Sequence, residues 1–315
     1  MSKEPKAGTQ KKIQNKMLQT IHYTQCPACK SNDIKPALEA KDYTVSQALF
    51  SIWHCNSCSF RFTQDVPNAA TIGPYYQSTA YVSHSDTKEG LINRLYHFVR
   101  GITMKFKIGL VKKYTCLQKG TLLDIGAGTG AFANTMQQNG WQLTGLEPDE
   151  TARQVAKNKF GLTLQQADEL YQLNANQFDA ITMWHVLEHV HDLHGYLEKF
   201  GSILKPNGKI FIAVPNYTSG DAATYKEHWA AYDVPRHLYH FSPQSMEQLA
   251  ASKGFKVQAY LPMWFDSFYV SMLSEQYKNG KGNLLAAYWN GCISNLKALF
   301  NAKKCSSVIY VLTKN

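Results

Sequence analysis

Apolar residues follow three regimes along the chain. Residues 1–20 are polar, with five lysines and one acid, and read as a disordered tail. From Lys88 to about Tyr114, Leu91, Leu95, Phe98, Val99, Ile102, Phe106 and Leu110 recur at helical spacing among lysines and arginines. This predicts an amphipathic helix, or two broken near Gly101, packed on the rest of the chain. From Gly120 onward, short apolar runs alternate with helical stretches. Strands are predicted at Thr121–Ile125, Gln142–Glu147, Leu162–Gln166, Phe178–Met183, Lys209–Val214 and Phe255–Tyr260. Helices are predicted at 150–159, stopped by Gly161, at about 192–204, and at 243–252. Such alternation implies a doubly wound, mostly parallel sheet.

The first of these strands runs into Asp124-Ile125-Gly126-Ala127-Gly128-Thr129-Gly130, and a helix starts at Ala131-Phe132. Strand, glycine-rich turn and helix form a cofactor cradle at the carboxyl end of a parallel strand. Gly126-x-Gly128-x-x-Ala131, with Glu147 downstream, satisfies the dinucleotide fingerprint. Asp124 argues against a dinucleotide, because a pyrophosphate on this turn would face a carboxylate. S-adenosylmethionine carries an ammonium and a sulfonium and no phosphate, so a carboxylate at the strand end suits it. Glu147, at the end of the second strand, can accept hydrogen bonds from both ribose hydroxyls. Ala167-Asp168, after the third, can reach an adenine amino group.

With 315 residues and 44% hydrophobic content, the chain can bury a sizeable core and more than one unit. Its net charge of +10 is concentrated towards the ends, and we read it as solvated surface; binding an anionic partner is the minority reading. No apolar run spans a bilayer and residues 1–16 lack a signal-peptide core, so a cytoplasmic location is expected.

Of the seven cysteines, four form two C-x2-C pairs, Cys26/Cys29 and Cys55/Cys58, separated by 25 residues. Each pair can form a knuckle with both thiolates aimed at one ion, and four thiolates complete a closed, structural zinc site. The intervening residues can hold a hairpin through Ile52-Trp53-His54. We therefore divide the chain into a tail (1–20), a zinc-ribbon-like module (21–65), a connector with amphipathic helices (66–118) and a catalytic domain (119–315). Within the connector, Ser85-Asp86 with Glu89 reads as a helix start.

Leu122–Gly130, Leu146-Glu147-Pro148-Asp149, Phe178-Asp179, Leu187-Glu188-His189-Val190 and Leu204–Lys209 fall in an order that resembles class I S-adenosylmethionine-dependent methyltransferases. The resemblance is to the ubiquinone-biosynthesis O-methyltransferase-like and sugar methyltransferase-like branches. It implies a seven-stranded sheet whose last strand, Ser307–Leu312, enters antiparallel between strands five and six. Residues 262–303 then become a helical insertion. That insertion reads as a lid with an apolar channel for a lipid-linked or aromatic acceptor, the alternative being plain packing of two helices. By the same resemblance Asp124, Gly126, Ala127, Gly128, Gly130, Phe132, Glu147, Pro148, Ala167, Asp168, Trp184 and His185 line the cofactor. The ubiquinone branch carries an acid where His185 stands, and that acid joins the Glu and His of L-E-H in a magnesium site. Hard cations prefer oxygen ligands, so His185 weakens the magnesium expectation. The cysteine arrangement is similar to the zinc modules of some sugar C-methyltransferases.

Methyl transfer to an oxygen of high pKa needs a base, and the candidates are His185, His237 and His240. The last two belong to the polar loop Asp233–Phe241, whose position after the fifth strand places it at the substrate pocket. His189 reads as a structural hydrogen bonder. The expected function is an S-adenosylmethionine-dependent methyltransferase acting on a small sugar, quinone-like or lipid-linked acceptor, with peripheral membrane contact open. The alternative is a nucleic-acid or protein methyltransferase that grips its target through the ribbon residues Trp53, Phe60, Arg61 and Phe62.

Overall fold

The computed structural model describes residues 19–77 and 91–315. Most of the expected tail, and the helix start at Ser85-Asp86 with Glu89, lie outside the described residues. At the N-terminal side β1 (Thr20–Ile21) pairs with β5 (Val66–Pro67). The two cysteine knuckles flank an antiparallel unit of β2 (Ile34–Lys41), β3 (Leu49–Cys55) and β4 (Arg61–Thr63). The predicted hairpin is present, with Trp53 opposite Pro36.

Helix α1 (Leu91–Thr115) runs unbroken through Gly101. Of the expected stripe, Leu110 is buried among the described side chains. Ile108 and Val111 are buried and Met104 packs beside them, whereas Ile102 and Phe106 are 40% and 37% exposed. The sheet is met by the stripe one step away, continued by Tyr114 edge-on to Phe211.

The catalytic sheet has β6 (Thr121–Ile125), β7 (Gln142–Leu146), β8 (Phe178–Trp184), β9 (Leu204–Pro215), β11 (Phe255–Pro262) and β12 (Ser307–Lys314), in the order β11-β12-β9-β8-β6-β7. Three neighbouring pairs are parallel. β12 lies antiparallel between β9 and β11, as the resemblance implied. The sheet has six strands rather than seven. The expected strand Leu162–Gln166 contributes one bridge, Gln165 to Leu146, because a tight turn of helix starts at Ala167 and carries the chain off the edge. The run Ile210–Val214 and its neighbours Val308–Leu312 are fully buried, as a sheet covered on both faces requires. Each such side chain contributes about 1.5–3 kcal/mol.

Helices α2 (Ala131–Gln138), α3 (Glu150–Phe160), α4 (Leu193–Ile203) and α6 (Pro243–Ser252) connect or cover these strands; the short α5 (Gly220–Tyr225) follows β9. Asp149 caps α3 through Thr151 N, and Gly161 ends it in the left-handed conformation. Two features join the ribbon to this domain. Strand β10 (Tyr239–His240), from the polar loop, pairs with β4 as the fourth strand of the ribbon's own sheet. Helices α7 (Asp266–Asn279) and α8 (Leu284–Phe300) form the insertion between β11 and β12. Among the described residues, no helix is long and apolar enough to cross a membrane.

Candidate active site

The glycine turn leaves β6 at the carboxyl edge of the sheet. Gly126 adopts φ +67°, and a Cβ there would lie 2.4 Å from Val186 Cγ2. Gly128 has φ +54°, and among the described residues no atom lies within 4 Å of where its Cβ would be. The first glycine is therefore required by packing, and the second leaves an open cradle. Ala127 N donates to Leu146 O, fastening the turn to β7. Glu147 accepts from Gly128 N at 2.7 Å and from Asp149 N at 2.9 Å. A carboxylate has about four lone-pair sites, so it can still accept from a pair of ligand hydroxyls. Burial raises its pKa, and the two amides oppose the rise. Pro148 follows on the same rim, its carbonyl held by Arg153. Ala167 is half-buried and Asp168 exposed, just past the Gln165 bridge.

Asp124 is almost fully buried. Its Oδ1 accepts from Thr182 Oγ1 at 2.7 Å, across the β6–β8 register. Burial pushes its pKa up to about 7, against the pull of Thr182 and Lys107. Lys107 comes from α1, with Nζ 4.4 Å from the centre of the Trp184 ring. Burial lowers it to about 8, against the pull of Asp266 and Asp124. Trp184 packs edge-on against Phe132, which is buried beneath it; Trp184 Nε1 is buried without an acceptor among the described residues.

His185 kinks the chain at the end of β8, with φ +59°. Nε2 lies 2.8 Å from Asp266 Oδ2 on α7, and Nδ1 lies 3.4 Å from Glu188 Oε1. Burial works against a charge here, but the two carboxylates outweigh it and lift the pKa to about 10. At neutral pH His185 is an imidazolium with both nitrogens turned to carboxylates. Both ring nitrogens of this expected base are thus engaged by acids.

The structure separates the other two histidines. His240, on β10, is buried against Thr63 Oγ1 (3.2 Å) and the Tyr232 ring. Burial, with the nearby Arg61 charge, holds its pKa well below 6.5. This expected base thus sits on the fourth strand of the ribbon sheet. His237 donates from Nδ1 to Ala231 O at 2.8 Å, and its ring stands 4.6 Å from that of His189. Just before His237 on the loop, Arg236 is buried in ion pairs with Asp233 (2.6 Å) and Asp42 (3.3 Å), and donates to Tyr75 O. It fastens the ribbon and connector to the loop.

Cys26, Cys29, Cys55 and Cys58 converge, with every sulfur within 4.8 Å of the others. The Cys26–Cys58 and Cys29–Cys55 separations are both 3.6 Å. A tetrahedron of zinc–sulfur bonds of about 2.3 Å has sulfurs about 3.8 Å apart, so the four suit that ion. His194 on α4 donates to Pro27 O in the first knuckle. Phe60 and Phe62 are fully buried, and Arg61 lies over Tyr217 and donates to Tyr232. Phe60, Arg61 and Phe62 thus pack within the protein, and Trp53 is half-buried.

Sequence reasoning missed Lys107, Asp266 and the relation of Glu188 to His237. Lys107 had a detectable signal, a lone charge between Met104, Ile108 and Val111. Asp266 had none, because its partner lies on a distant strand.

A sequence profile described as "Methyltransferase domain" matches residues 100–260, just over half of the chain. Curated relatives include the mitochondrial ubiquinone biosynthesis O-methyltransferase of Homo sapiens, 29% identical over 164 residues, covering 47% of this chain and 44% of that one. The ubiquinone biosynthesis O-methyltransferase of Coxiella burnetii is 28% identical over 126 residues, covering 38% and 52%. The match thus spans about half the length of these relatives. Among solved structures, the magnesium protoporphyrin IX methyltransferase of Synechocystis PCC 6803, with bound S-adenosylhomocysteine, superposes with a TM-score of 0.50. It is 13% identical and covers 76% of this chain and 97% of that one; the similarity is one of fold.

Proposed function

The chain belongs to the methyltransferase domain family, and on that premise we propose that it transfers the methyl group of S-adenosylmethionine to an oxygen of a small, lipid-borne or aromatic acceptor. The observation that carries this reading is the open cradle at Gly128, whose amide meets the Glu147 carboxylate, at the sheet edge where Asp124 stands near the end of β6 and Trp184 at the end of the neighbouring β8. When bound, the cofactor supplies a methyl group on a sulfonium. Glu147 would hold the ribose hydroxyls and Asp124 would face the cationic end, where Lys107 now stands as competing charge. The acceptor's task falls to the corner beyond. His185 already carries a proton, so an acceptor hydroxyl must lose its own towards Glu188 or His237, whose lone pairs are unspent.

Two observations on the insertion support a lipid-borne acceptor. Helix α8 turns Leu285, Tyr288, Trp289, Ile293, Leu296 and Phe300 to solvent, Leu285 being 75% and Phe300 86% exposed. The same segment carries Lys278, Lys281, Lys297 and Lys304 on its surface. Its acids turn inward: Asp266 to His185, and Glu275 to Tyr225 and Asn279. An apolar helix face edged with lysines fits an anionic membrane surface. The ribbon, zinc-loaded through its four cysteines, shapes the acceptor side by supplying the sheet that β10 completes.

The test is labelled-methyl transfer from S-adenosylmethionine into lipid and aqueous fractions of a cell extract. Label in the lipid fraction, lost on Gly128→Val, is expected. Label appearing in nucleic acid or protein instead would support the alternative acceptor class. Calorimetry that detects NAD and not S-adenosylmethionine would overturn the cofactor assignment.

A further inference from the structure

Charges of alternating sign run from the glycine turn to the acceptor corner: Asp124, Lys107, Asp266, His185 and Glu188. Lys107 lies within the field of Asp266 and Asp124, and His185 meets Asp266 at 2.8 Å and Glu188 at 3.4 Å. Asp124 also accepts from Thr182 Oγ1 at 2.7 Å. Lys107 differs from the other four. Among the described residues its ammonium makes no hydrogen bond and no close ion pair, and it rests over the Trp184 indole with Nζ 4.4 Å from the ring centre. Its three N–H donors are thus unmatched by protein where burial already makes a charge costly. Asp124 lies opposite Thr182 in the β6–β8 pairing, and Trp184 ends β8 two residues later, at the edge where the glycine turn begins. What this corner offers a cation is an aromatic face and the field of two carboxylates, with no hydrogen-bond acceptor beside the charge among the described residues. Those terms suit a cation without N–H, and a sulfonium is one.

We propose that Lys107 is an exchange residue for the cofactor: it holds the sulfonium's place beside Asp124 and Trp184, yields it to S-adenosylmethionine and retakes it from the neutral product. The proposal rests on the methyltransferase reading. Like charges at contact repel strongly away from bulk water, so the Lys107 ammonium and a sulfonium exclude each other from this corner. The sulfonium is the better fit, because it leaves no donor unmatched. The displaced ammonium still has Asp266 for a counter-charge, on the first turn of α7. Transfer then breaks the sulfur–methyl bond, with its electron pair left on sulfur, while the acceptor oxygen gains the methyl and gives up its proton. A neutral thioether sets no charge against the two carboxylates and the indole face, and a tethered ammonium returns at high effective concentration. Product release sets the turnover of many enzymes, and Lys107 acts on that step. Its place on α1 agrees. It falls at helical spacing with Met104, Ile108 and Val111, which pack on the sheet, where an apolar side chain would carry no cost of burying a charge.

The test follows Lys107 itself by NMR in the full, zinc-loaded chain. The indole ring should shift the Lys107 ε-methylene protons upfield, and saturating S-adenosylmethionine should remove most of that shift. The resonance is assigned by its loss in Lys107→Arg. Calorimetry near neutral pH should give S-adenosylmethionine at least about threefold tighter binding to Lys107→Met than to the unaltered chain, since the substitution frees the subsite. Removal of the competitor should outweigh the weaker ionisation of Asp124. Lys107→Arg, which keeps the charge, should bind no more tightly than the unaltered chain. In stopped-flow fluorescence, S-adenosylhomocysteine should leave Lys107→Met at least about threefold more slowly. A ring shift that persists with S-adenosylmethionine bound overturns the proposal. So does weaker binding to Lys107→Met, the sign expected if Lys107 gripped the cofactor's carboxylate. In both of those cases the cofactor still binds, so the methyltransferase reading stands. A chain that binds NAD and not S-adenosylmethionine overturns both.

Discussion

Nε2 of His185 lies 2.8 Å from Oδ2 of Asp266, joining the end of β8 to the first turn of α7. The contact locks the insertion onto the corner where the acceptor would react, and it fixes the protonation of His185. Because the folded pKa is raised from 6.5 to about 10, the stabilisation is fully present below about pH 6.5 and is lost as pH rises through about 10. Melting temperature should therefore fall between pH 7 and pH 10.5, and Asp266→Asn should flatten that slope. Ring-proton NMR should place the His185 titration near 10 in the unaltered chain, and at least one pH unit lower in Asp266→Asn. An unchanged titration would show that Asp266 does not hold the proton.

Asp124 gives a second pH dependence with the opposite sense. Burial raises its pKa to about 7, so the carboxylate is charged above that pH and neutral below it. Affinity for S-adenosylmethionine, measured by calorimetry, should fall as pH drops from 8 to 6. Asp124→Asn should abolish the dependence and weaken binding roughly 10–100-fold, since a hydrogen bond to a charged group is worth about 1.5–3 kcal/mol. Lys107→Met removes a favourable neighbour of the carboxylate and should move the inflection to higher pH. An inflection that stays in place would remove Lys107 from this account.

The ribbon and the acceptor loop share one sheet through β10 and β4. Cys55→Ser should lower zinc content, measured by plasma emission, and lower methyl transfer by at least about tenfold. The cofactor's dissociation constant should change by less than about threefold, because the cradle is built on β6 and β7. Equal losses in both would mean that the ribbon supports the whole domain rather than the acceptor side.

The α8 face gives a test by sedimentation with phosphatidylglycerol vesicles. Leu285→Glu with Trp289→Glu should cut vesicle binding by about tenfold or more, and binding of the unaltered chain should weaken as salt screens the lysines. If the double substitution instead shifts the chain from dimer to monomer with no change on vesicles, the face is covered by a second copy.

Much of this protein is determined by local sequence. The glycine turn at 126–130 and the α3 helix with its stop at Gly161 follow from spacing and residue type, whereas the placement of β12 came from the family resemblance. The turn and the helix each depend on backbone conformation, or on a period that neighbouring residues set. The cysteine pairs are legible for the same reason, since C-x2-C places two sulfurs together within one turn of chain. What only the tertiary structure decided is which side chains from distant segments meet. Leu162–Gln166 has a strand's pattern, yet the turn at Ala167 ends its pairing after one bridge. Of the α1 stripe only Leu110 is buried among the described side chains, because packing on the sheet selected Met104, Ile108 and Val111 beside it. The three histidines look alike as letters. Asp266 makes His185 a cation, Thr63 and Tyr232 bury His240 in the ribbon sheet, and the Ala231 carbonyl turns the His237 lone pair towards Glu188. Charge state and tautomer are set by a residue's neighbours in space, and for these residues the neighbours come from far along the chain.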